Sequence, residues 1–461
     1  MTFHSPEFIL FLSVTLFLYF KLPLRFRNTL LLAASAMFYM WWRPEYLVLI
    51  LFSVTVDYFV ALGLGREGPS WKRKTLLIVS LVSNLGLLFF FKYFEFATES
   101  VRSVLAILHV PWEPPLLKLV LPIGISFHTF QALSYTIDVY RGQIPIERSL
   151  LRLWVYVLFF PQLVAGPIER AGRLLPQFDE VHAPDPDAIS SGLKRILWGL
   201  VKKVAIADRL GLIADQVYDH PLGFSSPSLL IATYAFAFQI YADFSAYSDI
   251  AIGAARCLGF RLAENFDRPY LARSPVEFWR RWHISLSSWF RDYVYVPLGG
   301  NREGRARWRW ALMLTFCLSG LWHGARWTFV IWGAYHGLFV LGWRSWAKRI
   351  PSWVGAVLTF HGVLIGWVFF RANTLSDATY ILTRSVAGQS GAAYINVSDR
   401  LPQGSTDLVL AGAGIVALLL ADLRPILAWS PMLRWLAYVG GALLVLNGRP
   451  EIDLPFIYFQ F

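Results

Sequence analysis

Charge is scarce in this sequence. Asp, Glu, Lys and Arg together make 16% of its 461 residues, against roughly 25% in a soluble globular domain. Cysteine is scarcer still. Cys257 and Cys317 are the only two, which excludes a disulfide framework and a cysteine-based metal site. The histidines are scattered, and no His/Asp spacing matches a zinc motif, so no metal is expected. No G-x-S-x-G elbow occurs, which argues against a serine-nucleophile hydrolase. The first residues, MTFHSPEFILFLSVTLFLYF, have no basic start and no clear small-residue cleavage site, so they read as a retained first span rather than a removed signal. Internal repeats and low-complexity tracts are missing as well.

What is present is apolar. Hydrophobic residue types make up 56% of the chain, with 20 Trp, 20 Tyr and 36 Phe. They are grouped into runs: Leu47 to Leu62 carries one charge, Asp57, and Leu76 to Phe91 carries none. A lipid-spanning helix needs about 20 mostly apolar residues. Apolar segments fall near 5–20, 28–42, 46–63, 75–93, 118–138, 204–219 and 228–246, and again near 311–322, 326–343, 353–371, 407–421 and 435–447. Leu153 to Ala165 is shorter and interrupted by Pro161, which reads as re-entrant or interfacial. Length therefore sets a number of spans, not of soluble domains.

The net charge is +12. No basic nucleic-acid-binding module is recognisable, so no nucleic acid is expected. Basic loops instead orient a membrane protein and face anionic lipid. With the N-terminus outward, Lys21, Arg25, Arg27, Arg66, Lys72, Arg73, Lys74, Arg141, Arg148, Arg152, Arg170, Arg173, Lys194, Arg195, Lys202 and Lys203 all fall on the cytoplasmic side. The opposite loops, Asp219 to Ser228 and Asn373 to Thr406, have few basic residues. That orientation also puts Phe461 outside.

Two regions carry chemistry. Arg268 to Arg309 holds nine arginines and three acids, Glu277, Asp292 and Glu303. Ser274-Pro275-Val276-Glu277 predicts a capped helix start, Pro297 a stop, and Gly299-Gly300-Asn301 a turn. Between them Trp279, Trp282, Leu286, Trp289 and Tyr293 share one helical face. Such a helix can lie on the cytoplasmic lipid surface. Its arginines can equally receive a polyphosphate, because the guanidinium fork pairs with phosphate oxygens.

The second region is Gly320-Leu321-Trp322-His323-Gly324-Ala325-Arg326, between two apolar segments with basic flanks on both sides. That predicts a hairpin from the cytoplasmic side. A first arm of about 12 residues spans roughly 18 Å, short of a hydrocarbon core about 30 Å thick. His323 is thus placed at membrane depth, where ionisable groups usually line a polar cavity or bridge helices. An uncharged imidazole there could act as a general base. A further polar stretch, Gln239 to Asp249, contains Asp243, Ser245 and Tyr247. These could line an acceptor path or hold helices together.

The strings FWRRWHISLSSWFRDYVYVPLGGNREG and LSGLWHGARWTFVIWGAYHG resemble the membrane-bound O-acyltransferase superfamily, and within it the bacterial alginate O-acetyltransferase branch. LPIGISFHTFQALSYTIDVYRG, FFPQLVAGPIER, YADFSAYSDIAIG, ENFDRPY and FIYFQF match as well. The resemblance implies an all-α membrane protein, a bundle of about 11 transmembrane helices with re-entrant and interfacial helices around a central funnel. It would form one polytopic domain over 1–461: N-terminal helices 1–115, an acyltransferase core 116–371, and an outward loop with C-terminal helices 372–461. It makes His323 the active-site histidine and His283 the second one, positioning the donor or stabilising an oxyanion; His336 is a weaker candidate. Acetyl-CoA is the implied donor substrate, with no permanently bound cofactor. Its expected contacts are Arg280, Arg281, Arg291 and Asn301, with Asp243, Ser245, Tyr247 and Trp322 along the substrate path. The acetyl group would pass to periplasmic or membrane-anchored proteins that modify an exopolysaccharide such as alginate. The chain would lie in a bacterial inner membrane, both termini periplasmic. A polymer or acyl-carrier transporter is the competing class. Within the superfamily, cellulose, peptidoglycan or D-alanylated teichoic acid are competing targets.

Overall fold

Lipid offers no hydrogen-bond partner to a bare N–H or C=O, so long apolar runs must satisfy their own backbone as helices. The computed structural model describes residues 1–66, 69–112, 117, 119–346, 350–388, 394–423, 430–447 and 456–457. Among them every regular element is helical, and the one β-bridge pairs Phe224 with Ile395. Lys348, Arg349 and all but the first two residues of FIYFQF lie outside the described residues.

The order begins with α1 Pro6–Lys21, α2 Leu24–Met40, α3 Glu45–Leu64, α4 Ser70–Leu88, α5 Phe94–Ile107, α6 Ile125–Tyr140, α7 Leu150–Leu158 and α8 Ala171–Leu174. It continues with α9 Pro186–Val201, α10 Asp208–Tyr218, α11 Ser226–Cys257, α12 Pro275–Arg281, α13 Ile284–Phe290, α14 Gly304–His323 and α15 Trp327–Trp346. α16 Ser352–Arg371, α17 Leu375–Arg384, α18 Ser405–Leu423 and α19 Pro431–Asn447 complete it. Five helical segments among the described residues are long and apolar enough to cross a membrane: Glu45–Leu64, Ser70–Ile107, Ser226–Cys257, Ser352–Arg371 and Ser405–Leu423. That makes the chain a multi-pass membrane protein. The other apolar segments expected to span are largely helical, 118–138 only from Ile125 onward, but fall short of that criterion of length and composition.

The chain forms two compact units, Met1–Gly192 with Ala251–Ala263, and Leu193–Ile250 with Glu264–Phe461. In the first, α1 buries Phe8, Phe11, Leu12 and Tyr19 while Ile9, Leu10, Val14 and Phe17 stay exposed. An outward apolar stripe of this kind is what lipid solvates. Asp57, the lone charge of α3, is buried and answered by the Ser80 hydroxyl and by Asn84 Nδ2 at 2.9 Å, both from α4. The segment predicted to be re-entrant is α7 followed by non-helical backbone, and every residue from Val155 to Glu169 is buried. Irregular backbone survives there because side chains replace the missing helical bonds. Gln131 and Gln162 both donate to the Tyr156 carbonyl, at 2.8 and 2.7 Å, and the Tyr156 hydroxyl donates to the Glu169 carbonyl at 2.8 Å.

In the second unit a core of α10, α11, α15 and α16 side chains, with Trp282 from the turn after α12, includes Phe236, Tyr241, Trp332 and Trp367. The two loops that the charge pattern assigns to one side pair with each other: Ser225 N–H donates to the Ile395 carbonyl at 3.0 Å, and Ile395 N–H to Gly223 at 2.9 Å.

Candidate active site

The site is built on a helix that breaks where the sequence pattern predicts continuity. Ser274 caps α12 as expected, accepting Glu277 N–H at 3.1 Å. The Glu277 carboxylate reaches one residue further back than a capping box would, to Arg273 N–H at 2.8 Å. The helix then stops at Arg281. Trp282 is extended, and His283 takes a left-handed conformation at φ 42°, ψ 57°. Such a conformation is uncommon for a residue with a side chain. It is held from outside the segment: Ile284 N–H donates to the Asn265 carbonyl at 2.9 Å and Asp267 N–H to the Arg281 carbonyl at 2.9 Å. Asn265 Oδ1 receives the Ser285 hydroxyl at 2.9 Å and Ser285 N–H at 3.3 Å, and lies 3.0 Å from His283 Nδ1. The Trp279–Tyr293 face therefore belongs to two short helices and a π-helical turn, Arg291–Tyr295.

His323 is the last residue of α14, and α14 with α15 forms the predicted hairpin. Its first arm is 20 residues, longer than the apolar stretch alone. Glycines let the arms touch. A Cβ on Gly320 would sit 2.1 Å from the Phe329 carbonyl oxygen, and one on Gly333 2.2 Å from that of Phe316. Gly324, directly after the histidine, is covered by the Phe329 ring. His323 is buried, its ring 5.0 Å from Trp322, 5.2 Å from Trp332 and 5.2 Å from Phe370.

His283 and His323 line one cavity of about 660 Å³. Trp279, Leu286, Phe316 and Trp343 give it apolar walls; Ser287, Ser288, Thr315 and Ser319 give it hydroxyls. Arg280, Arg291 and Arg344 line it too, and among the described residues no carboxylate does. His283 sits between helices too short to span a membrane. Burial, reinforced by the neighbouring His323, pushes its imidazole well below the ordinary histidine range.

The other residues singled out in the sequence fall elsewhere. Arg281 is turned to the Glu277 carboxylate at 2.7 Å, and Asn301 is exposed on its turn; neither lines the cavity. Trp322 packs between the two histidines, 6.1 Å from the His283 ring. Asp243 pairs with Lys203 at 3.1 Å and accepts the Ile457 N–H. Ser245 accepts from Lys202 at 2.7 Å, and Tyr247 packs edge-on against Phe456. None of these three lines the cavity. Lys202 and Lys203 are not loop charges. They are buried in a π-helical turn, Lys202–Ala207, ion-paired to Asp249, Asp208 and Asp243. His336 is wholly buried between Trp279 and Trp332, at 5.0 and 4.9 Å, behind the cavity wall. Sequence reasoning missed Arg344 and Asn265. Residue 265 lies 18 positions before His283, in a string with no spacing that marks a pair.

A sequence model described as MBOAT, membrane-bound O-acyltransferase family, matches residues 147–370. The chain is 41% identical over 391 residues to a Pseudomonas syringae protein named "Probable alginate O-acetylase AlgI", covering 82% of this chain and 74% of that one. Its Pseudomonas aeruginosa namesake is 42% identical over 389 residues, 82% of this chain and 73% of its own. A Helicobacter pylori "Peptidoglycan O-acetyltransferase" is 34% identical over 437 residues, 86% of this chain and 81% of that protein.

Proposed function

The chain belongs to the membrane-bound O-acyltransferase family, and on that premise we propose that it is an inner-membrane O-acetyltransferase that modifies an exopolysaccharide, alginate. The observation that carries the reading is that His283 and His323 line the same cavity as three arginines. The donor is acetyl-CoA, entering from the cytoplasm with its phosphates against Arg280, Arg291 and Arg344. Guanidinium groups suit phosphate oxygens, and the apolar wall leads the thioester inward. His323 takes the proton of an acceptor hydroxyl as that oxygen bonds to the acetyl carbon. The carbon–sulfur bond breaks, and the proton ends on the departing thiolate. The acetyl ester then serves periplasmic or membrane-anchored proteins of polysaccharide acetylation, with both termini of the chain on the periplasmic side. His283 is the second catalytic group.

The test compares acetylated polymer from cells that make wild type or His323→Ala at equal membrane levels. Loss of acetylation is expected, and undiminished acetylation would sink the role of His323. Similarity to the peptidoglycan enzyme favours a second reading in which the acceptor is another polymer. Acetate content of isolated peptidoglycan and exopolysaccharide from the same strains separates the two.

A further inference from the structure

The hydrogen bonds around His283 can be given directions. Ser285 N–H can only donate, and it reaches Asn265 Oδ1. That orients the carboxamide: oxygen toward the start of α13, nitrogen toward Ser248 Oγ at 3.2 Å. An amide oxygen can only accept, so the His283 Nδ1 beside it must carry a hydrogen. Ser285 Oγ agrees. It lies 3.4 Å from the same Nδ1 and gives its own proton to Asn265, so toward the ring it can only accept. A buried imidazole in the uncharged state has one N–H. With that hydrogen on Nδ1, Nε2 is left with its lone pair.

We propose that Asn265 is a positioning residue that holds His283 as the Nδ1–H tautomer, so that its other ring nitrogen, Nε2, can accept a proton in acetyl transfer but cannot donate one. This rests on the reading of the cavity as the acetyl-transfer site and assigns its second histidine. A ring in this state cannot donate to a developing oxyanion, the role that the sequence resemblance allows. It can serve only a hydrogen-bond donor: the acceptor hydroxyl before transfer, or the coenzyme thiol after it. Asn265 has the means to impose that choice. Its backbone carbonyl and its side-chain oxygen together hold Ile284 N–H, Ser285 N–H and the Ser285 hydroxyl, the contacts that keep His283 in its left-handed backbone. Strain of that kind persists only where surrounding bonds over-determine it.

The direct measurement is the ¹⁵N spectrum of histidine-labelled protein in lipid nanodiscs, with His283→Gln identifying the signal. An Nδ1–H, Nε2-unprotonated pattern is expected at neutral pH; an Nε2–H pattern overturns the proposal, whatever the protein acetylates. The kinetic arm uses two variants of matched size. Asn265→Asp keeps an accepting oxygen and should retain most of kcat. Asn265→Leu removes it and should lower kcat by roughly tenfold or more, as loss of a tautomer-fixing partner does elsewhere, with KM for acetyl-CoA little changed. Wild-type kcat in Asn265→Leu, or Asp as inactive as Leu, counts against Asn265. If His283→Gln itself transfers acetyl at the wild-type rate, the catalytic reading of the cavity fails while the spectrum still decides the tautomer.

Discussion

At the residue scale, side chains of one type are divided by where they point. Arg280, Arg291 and Arg344 line the cavity, Arg291 while also paired with Asp292 at 2.7 Å, whereas Arg281 is held by Glu277 away from it. Single Ala substitutions at the first three should raise KM for acetyl-CoA by up to roughly fivefold, the range for solvent-exposed charge pairs, with kcat nearly unchanged. Arg281→Ala should leave KM alone. Kinetics of the four variants at low and high salt check this, since screening should shrink the first three effects. Glu169 shows what burial does to a charge. It is enclosed beside Ala263 N–H, and burial pushes its carboxyl up to about 7, against the pull of that N–H and of Arg173 and Arg170. The folded protein thus keeps a proton that the unfolded chain gives up at lower pH. Stability should therefore fall as pH rises from the ordinary glutamate range to about 7, and level off above. Unfolding midpoints in detergent at about pH 5 and about pH 8 measure the drop, which Glu169→Gln should reduce. An equal drop in both proteins would remove Glu169 as its cause.

At the scale of elements, the hairpin of α14 and α15 depends on the absence of side chains. The Cβ of Gly320→Ala would press on a backbone carbonyl, which cannot swing aside. Overpacking of this sort costs about 1–3 kcal/mol, and it would displace the helix that ends in His323. Gly342→Ala, with nothing within 4 Å of the new carbon, should be neutral or stabilising by up to about 1 kcal/mol. Thermal unfolding of both variants, with acetylation measured alongside, tests the contrast. The hairpin itself was legible, because two apolar segments with basic flanks and a Gly-rich turn leave few other arrangements. The break between α12 and α13 was not. Trp279, Trp282, Leu286, Trp289 and Tyr293 keep helical spacing straight through it. Hydrogen bonds to residues 265 and 267, distant in sequence, hold the turn.

At the scale of the whole molecule, the charge pattern along the chain predicts sidedness. A cysteine placed at Arg302, exposed in the arginine-rich segment, should react with an impermeant thiol reagent only from the cytoplasmic side. One at Ser398, in the loop that includes Ile395, should react only from the periplasm. Labelling of sealed spheroplasts and inverted vesicles reads both, and reversed labelling would overturn the orientation. Not every basic residue entered that pattern correctly. Lys202 and Lys203 lie inside the second unit, where Asp208, Asp243 and Asp249 compensate them. A buried pair costs desolvation that its Coulomb attraction repays only with good geometry and further hydrogen bonds, so these pairs compensate one another rather than mark a loop.

The sequence by itself determined that the chain is helical and membrane-embedded. Apolar length and missing charge are properties of single segments, and the bilayer turns them into helices without reference to the rest of the fold. It also pointed to the two histidines, through strings long enough to carry a family likeness. The tertiary structure decided what surrounds them: one cavity with Arg280, Arg291 and Arg344 but without Arg281 or Asn301, and Asp243, Ser245 and Tyr247 set apart among buried lysines and the end of the chain. It decided as well which nitrogen of His283 holds a hydrogen, through an asparagine 18 residues away. Those outcomes depend on side-chain direction and on pairs distant in sequence, and neither periodicity nor composition encodes them.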